Sequence, residues 1–176
     1  ARHVDREEIS RVETPEATGR WNPVPFETLL TQVESEMAYR KMSVRKSSQA
    51  LSHDNNRMFA IMDLHALGDD MAANSSDTAG QNISLGLRSS YDKSFSARLG
   101  LGSRVWVCDN LAFTADIVFS RKNTTNIIDE LPELVSKAFD QLPELIYSQE
   151  EMQALWKRTN ITDKEAHDVI MKTVKA

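Results

Sequence analysis

Positively charged side chains are spread along residues 83–124 of this 176-residue chain, in a segment that otherwise alternates between apolar and small residues. Cations in such an arrangement can follow phosphate groups, and an aromatic ring among them can stack on a base. Between Arg88 and Arg104 four cations accompany one anion, Asp92, so the local charge is +3. The predicted nucleic-acid-binding residues are Arg88, Lys93, Arg98, Arg104, Trp106, Arg121 and Lys122. The alternative reading is that these cations are ordinary solvent-facing residues of a half-exposed sheet.

The elements that position these residues follow from the hydrophobic period. Apolar residues occupy odd positions in the segments 83–87, 97–101, 105–107 and 113–119. A period of two over these segments predicts a strand meander with one buried face. The even positions then form the opposite face, which is small, hydroxylated and basic and includes Trp106.

Patterns before and after this segment predict the rest of the fold. Helical spacing begins at Pro25, two strands are expected at 41–52 and 57–67, and the small polar residues 68–81 are typical of a mobile surface loop. After Asn123 the period becomes helical again. The predicted class is α+β: an antiparallel sheet of about five strands in a meander, with one N-terminal helix and about three C-terminal helices.

Local signals in the sequence predict the starts of the helices and the limits of the domain. Pro132 suggests that the first C-terminal helix becomes regular near Asp129, and the two pairs Ser148/Glu151 and Thr162/Glu165 resemble capping boxes of two further helices. Residues 1–20 are polar and aperiodic and are expected to be an extended arm. Residues 21–176 are expected to form one α+β domain.

The bulk composition limits the classes of function. A net charge of −5 argues against attraction of nucleic acid by the whole surface, so binding would need a local basic patch. A single cysteine, Cys108, cannot form an intrachain disulfide, and no apolar segment is long enough for a membrane span or a signal peptide. These features predict a cytoplasmic protein without a membrane partner.

The turn that follows the first strand of the basic segment is the candidate position for catalytic residues. Its motif residues are Ser90, Tyr91 and Asp92, with Asn110 from the next turn. Asp92 is expected to cap the turn and to pair with a nearby arginine. No base, nucleophile and orienting group can be assigned together, so catalytic residues stay unknown, and no cofactor or metal site is predicted.

The chain resembles the phage and plasmid family known as domain of unknown function 932. The resemblance rests on GLRSSYDKS at 86–94, GSRVWVCDNLAF at 102–113 and SRKNT at 120–124. Ser89, Tyr91 and Asn123 stand where the family commonly has Asn, His and His, which argues against imidazole chemistry at the last two positions. The resemblance implies a bacterial host cell and a mobile element, without an established activity.

Three hypotheses of function follow. The first is an accessory protein of DNA metabolism that binds single-stranded DNA through the basic face, with recombination or annealing as its setting and a homo-oligomer as its assembly. The second is an interaction factor that counters a host defence protein through the acidic segment 129–151, with Glu133, Glu144 and Glu150 as contacts. The third is an enzyme that acts on a phosphorylated small molecule at Asp92 and Lys93.

Overall fold

The strands and helices of the chain were located in a computed structural model, which describes residues 1–65, 83–102, 105–107, 113–160 and 162–174. The predicted mobile loop at 68–81 lies outside the described residues. The strands are β1 (Arg2–Val4), β2 (Ser43–Ser52), β3 (Arg57–His65), β4 (Ile83–Ser90), β5 (Ala97–Gly102), β6 (Trp106–Val107), β7 (Phe113–Thr114) and β8 (Ile117–Arg121). The helices are α1 (Arg6–Ser10), α2 (Phe26–Tyr39), α3 (Ile127–Asp140), α4 (Leu142–Arg158) and α5 (Asp163–Val174).

The main sheet is antiparallel and has the order β1-β2-β3-β4-β5-β8, with β6 and β7 forming a separate two-stranded sheet. This confirms the α+β class and the meander from β2 to β5. The main sheet has six strands where about five were predicted, because β1 adds to the edge of β2.

The N-terminal segment differs from its prediction as an extended arm. Val4 of β1 pairs with Gln49 of β2 and is buried, and Ile9 of α1 is also buried. Asp5 caps α1 by accepting a hydrogen bond from the Glu8 amide at 2.7 Å. The prediction is therefore wrong for residues 2–10, because backbone pairing and two buried side chains hold them against the sheet.

The core lies between one face of the sheet and the helices α2 and α3. The odd positions predicted to be buried in β4 and β5 are buried: Ile83, Leu85, Leu87, Ala97, Leu99 and Leu101. They pack with apolar residues of both helices, such as Leu30 and Val135. Each such side chain contributes roughly 1.5–3 kcal/mol on full burial, so this face determines the register of the strands.

The C-terminal helices follow their local signals only in part. The Thr162 amide and the Glu165 carboxylate form the predicted capping box at the start of α5. Ser148 instead lies inside α4, which runs without a break from Leu142 to Arg158, so the capping box predicted at Ser148 and Glu151 is wrong. The helix α3 begins at Ile127, two residues before the predicted regular start, and includes Pro132.

Candidate functional site

A cleft of about 480 Å³ forms where the segment before α2, the turn between β4 and β5, and the residues after β8 meet. It is lined by Arg20, Trp21, Lys93, Ser94, Phe95, Ser96, Lys122, Asn123 and Thr124. Three of these residues are cations and none is acidic. Four more offer a side-chain hydroxyl or amide. This composition makes the cationic cleft a candidate site for an anion.

The first wall of the cationic cleft is a tight loop that carries Trp21. The backbone groups of Thr18 and Trp21 exchange two hydrogen bonds of 3.0 Å, and Gly19 turns the chain with a φ of 60°. Trp21 also forms a β-bridge with Thr124, and the Asn22 amide donates to the Asn123 carbonyl at 3.0 Å. The backbone of Trp21 is therefore held by contacts on both sides, and the residue lines the cleft from this fixed position.

The second wall is the β4–β5 turn, which is organised by Asp92. Its Oδ1 accepts a hydrogen bond from the Ser94 amide at 3.0 Å, and its Oδ2 accepts one from Arg57 Nε at 2.6 Å. Burial acts to raise the pKa of Asp92, but the hydrogen bonds from Ser94 and Arg57 outweigh it and lower the pKa. This confirms that Asp92 caps the turn and pairs with an arginine. An ionised, doubly engaged carboxylate is a poor general acid at neutral pH.

Lys93 is held by this turn in a conformation that is unusual for a lysine. Its φ is 63°, in the left-handed region where glycine is favoured. Its Nζ lies 4.5 Å from the centre of the Trp21 ring and 3.3 Å from Thr18 Oγ1. Lys41 has a similar φ of 56°, so the left-handed backbone describes the turn, and Lys93 belongs to the candidate site because it lines the cleft.

Tyr91 links the same turn to the start of α2. Its hydroxyl accepts a hydrogen bond from the Phe26 amide at 2.9 Å and lies 3.1 Å from Thr14 Oγ1. Its ring stacks on Phe26 with centroids 3.9 Å apart. Pro25 offers no side-chain cap, so Tyr91 supplies the cap for α2 from another part of the chain. Burial raises the pKa of Tyr91.

The substitution Tyr91→Phe should lower the free energy of unfolding by about 1–2 kcal/mol, because it removes a helix cap and leaves buried polar groups without a partner. The ring stack with Phe26 would remain. Urea denaturation followed by circular dichroism measures the loss. The matched control is Tyr39→Phe, since Tyr39 is 83% exposed and its hydroxyl can bond to water. Equal stability of the two variants would contradict the capping role.

The predicted binding residues are only partly brought together. Lys93 and Lys122 line the cationic cleft. Arg98 is half-buried, two residues beyond Ser96 and on the same face, and its Nε donates to Ser120 Oγ at 3.3 Å. Arg104, Asn110 and the side chain of Trp106 lie outside the described part of the structure.

Arg88 corrects the expectation of an open basic face. It is only 3% exposed, and its guanidinium carbon lies 4.7 Å from the centre of the Phe95 ring. Gly86 and Gly100 on the same face are buried as well, and β6 contacts both β3 and β4. The centre of the sheet is thus covered on both faces, and Arg88 lies beneath the surface.

Arg121 lies on the helical side of the sheet. It is paired in register with Ala97, whose side chain is in the core layer, and it forms a salt bridge with Glu130 of α3. Its guanidinium is engaged away from the cationic cleft. Ser90, the first residue of the motif turn, is buried and its hydroxyl donates to the Phe95 carbonyl at 2.9 Å, which closes the turn.

The acidic segment 129–151 is partly neutralised within the chain. Glu133 pairs with Lys137 at 2.6 Å, Asp140 pairs with Arg40 at 2.6 Å, and Glu130 pairs with Arg121. Among the described residues no group of three or more His, Cys, Asp or Glu side chains could hold a metal. In the same residues no helix is long and apolar enough to cross a membrane.

Arg20 and Trp21 are among the cleft residues that the sequence did not predict. Arg20 ends the segment predicted to be an extended arm, and Trp21 begins the predicted domain. The one local signal was the Thr18-Gly19-Arg20 turn, which marks a change of direction but does not show what the next residue contacts.

No protein family, no curated protein and no solved structure matches the chain. The resemblance to the family of domain of unknown function 932 therefore stays a hypothesis based on the residues quoted above. Function has to be argued from the geometry of the cationic cleft.

Proposed function

We propose that the chain binds single-stranded nucleic acid through the cationic cleft. The observation that carries this proposal is the convergence of Arg20, Lys93 and Lys122 on one cleft without an acidic residue in its lining. Phosphate contacts from Lys and Arg supply most of the affinity in binding that does not depend on sequence. The net charge of −5 makes such a local concentration of cations necessary.

A single strand fits the cleft better than a duplex for two reasons. The cleft is concave and has a volume of about 480 Å³, which can hold a few nucleotide groups but is too small for a double helix. It also contains the half-buried ring of Trp21, and rings of this kind contact bases only when the bases are unpaired. If the resemblance to the phage and plasmid family holds, the setting would be DNA metabolism of a mobile element, including recombination or annealing.

Fluorescence anisotropy with a labelled oligonucleotide tests the proposal. The same sequence is titrated as a single strand and as a duplex at low and at moderate salt. We expect the single strand to bind more tightly and to weaken as salt rises. Absence of binding at low salt, or preference for the duplex, would overturn the proposal.

The substitution Lys93→Gly should separate binding from stability. It relieves a left-handed backbone strain of roughly 1 kcal/mol but removes a cation–π contact of about 0.5–1 kcal/mol, so the free energy of unfolding should stay nearly constant. Affinity for the single strand should fall about tenfold with the lost phosphate contact. Anisotropy and urea denaturation of the same sample measure both quantities.

Lys41→Gly is the matched control for Lys93→Gly. Lys41 has a φ of 56° at the end of α2, where the Met42 amide donates to the Met37 carbonyl at 2.9 Å in a Schellman motif. Glycine there should raise the free energy of unfolding by about 1 kcal/mol and leave affinity unchanged. An equal loss of affinity in both variants would show that the effect of Lys93 is not local.

A further inference from the structure

We propose that Trp21 is the platform on which one base of the bound strand stacks, and that Lys93 leaves the indole face to contact the adjoining phosphate. This inference rests on the proposed function and assigns the base-binding part of the cationic cleft. The occupant is an unpaired nucleobase, recognised through its flat face and not through its edge.

The position of Trp21 meets the requirements of a stacking platform. Its backbone is held on one side by the paired hydrogen bonds with Thr18 and on the other by the bridge to Thr124. A residue whose backbone is already held in this way loses less conformational freedom on ligand binding than a residue in an unconstrained loop would. The ring also lines the cleft directly beside the cations that would contact phosphate.

One face of the indole is covered by a cation that can be replaced. Lys93 Nζ lies 4.5 Å from the centre of the ring. An exposed cation–π contact is worth less than a base stacked on an aromatic ring, so a base can displace the ammonium group. The released lysine then lies next to the phosphates of the same nucleotide, since its turn is fixed by Asp92. In the exchange Lys93 gives up its contacts with the Trp21 ring and Thr18 Oγ1 and gains a contact with phosphate.

The other aromatic ring in the cleft is already occupied. Phe95 lies 4.7 Å from the guanidinium carbon of Arg88 and 5.8 Å from that of Arg57. It also contacts Phe59, with ring centroids 5.7 Å apart. Insertion of a base at Phe95 would disrupt these packed contacts, whereas insertion at Trp21 requires that the Lys93 ammonium group leave the ring.

A double-mutant cycle between the protein and the oligonucleotide tests the inference. The wild-type chain and Trp21→Leu are each titrated with a thymidine tract and with an abasic tract of the same length and charge. The wild-type chain should bind the thymidine tract about tenfold more tightly than the abasic tract. Trp21→Leu should bind both tracts with equal affinity. Trp21→Phe should keep most of the preference, which guards against a general loss of structure.

Each outcome of this cycle has a definite meaning. Equal binding of the two tracts by the wild-type chain, or an undiminished preference in Trp21→Leu, would overturn the stacking role while leaving phosphate binding by the cleft intact. Failure of the wild-type chain to bind either tract at low salt would overturn the proposed function itself, and the stacking role with it.

Discussion

Joint replacement of the three cleft cations, as Arg20→Ala, Lys93→Gly and Lys122→Ala, should weaken binding of a labelled single strand at least about 100-fold at low salt. The reason is that all three line one cleft in which no carboxylate competes for them. A 100-fold loss corresponds to about 2.7 kcal/mol in total, of which the tenfold effect expected for Lys93 is about 1.4 kcal/mol. Anisotropy titration measures the affinity of the variant and of the wild-type chain side by side.

A second triple variant controls for the change in net charge. Arg45, Lys46 and Lys157 are exposed and do not line the cationic cleft. Their replacement by alanine also removes three positive charges, but from other parts of the surface. The affinity for the single strand should stay within about threefold of the wild-type value. Equal losses in the two triple variants would show that binding depends on overall charge and not on the cleft.

The substitution Arg88→Ala should have the largest effect on stability, lowering the free energy of unfolding by about 2–4 kcal/mol. Arg88 is 3% exposed and its guanidinium packs against Phe95 in the centre of the sheet. Truncation leaves a space beneath the Phe95 ring and removes a buried charge from its surroundings. Urea denaturation gives the change as a lower midpoint. Weaker nucleic-acid binding by this variant would therefore report loss of folded protein and not a lost phosphate contact.

Arg98→Ala is the matched control for Arg88→Ala. The two arginines are directly paired across β4 and β5, but Arg98 is half-buried and its Nε donates a hydrogen bond to the Ser120 hydroxyl. Its loss should cost less than about 1 kcal/mol. Similar small losses for both variants would contradict the structural role of Arg88.

The meander could be predicted from sequence because its information is local. A period of two runs through β4, β5 and β8, and the odd apolar residues are buried on one face except Phe119, which is half-buried. The same reasoning could not reveal the cover on the opposite face. That cover comes in part from Phe95, which lies in a turn and has no place in the alternation of a strand.

The N-terminal elements were missed because they are too short to show a period. β1 has three residues and α1 has five. Their structure depends on pairing with β2 and on the burial of Val4 and Ile9, neither of which is visible locally. The capping box predicted at Ser148 was wrong because its local signal is not specific. A serine three residues before a glutamate also occurs inside helices.

Only part of the candidate site could be predicted, because only part of it lies in a segment with a local pattern. Lys93 and Lys122 belong to a segment whose charge pattern stands out along the chain. Arg20 and Trp21 reach the cleft through a bridge to Thr124, far away in sequence. Charge patterning finds residues on one strand or turn, but it cannot find the wall contributed by a distant loop.

The dependence of affinity on salt tests the central claim most directly. Three phosphate contacts to a single strand should give a slope of about −2 for the logarithm of the association constant against the logarithm of the salt concentration. The slope of the triple variant at Arg20, Lys93 and Lys122 should approach zero, while that of the triple variant at Arg45, Lys46 and Lys157 should equal the wild-type slope. An unchanged slope after removal of the three cleft cations would contradict phosphate binding in the cationic cleft.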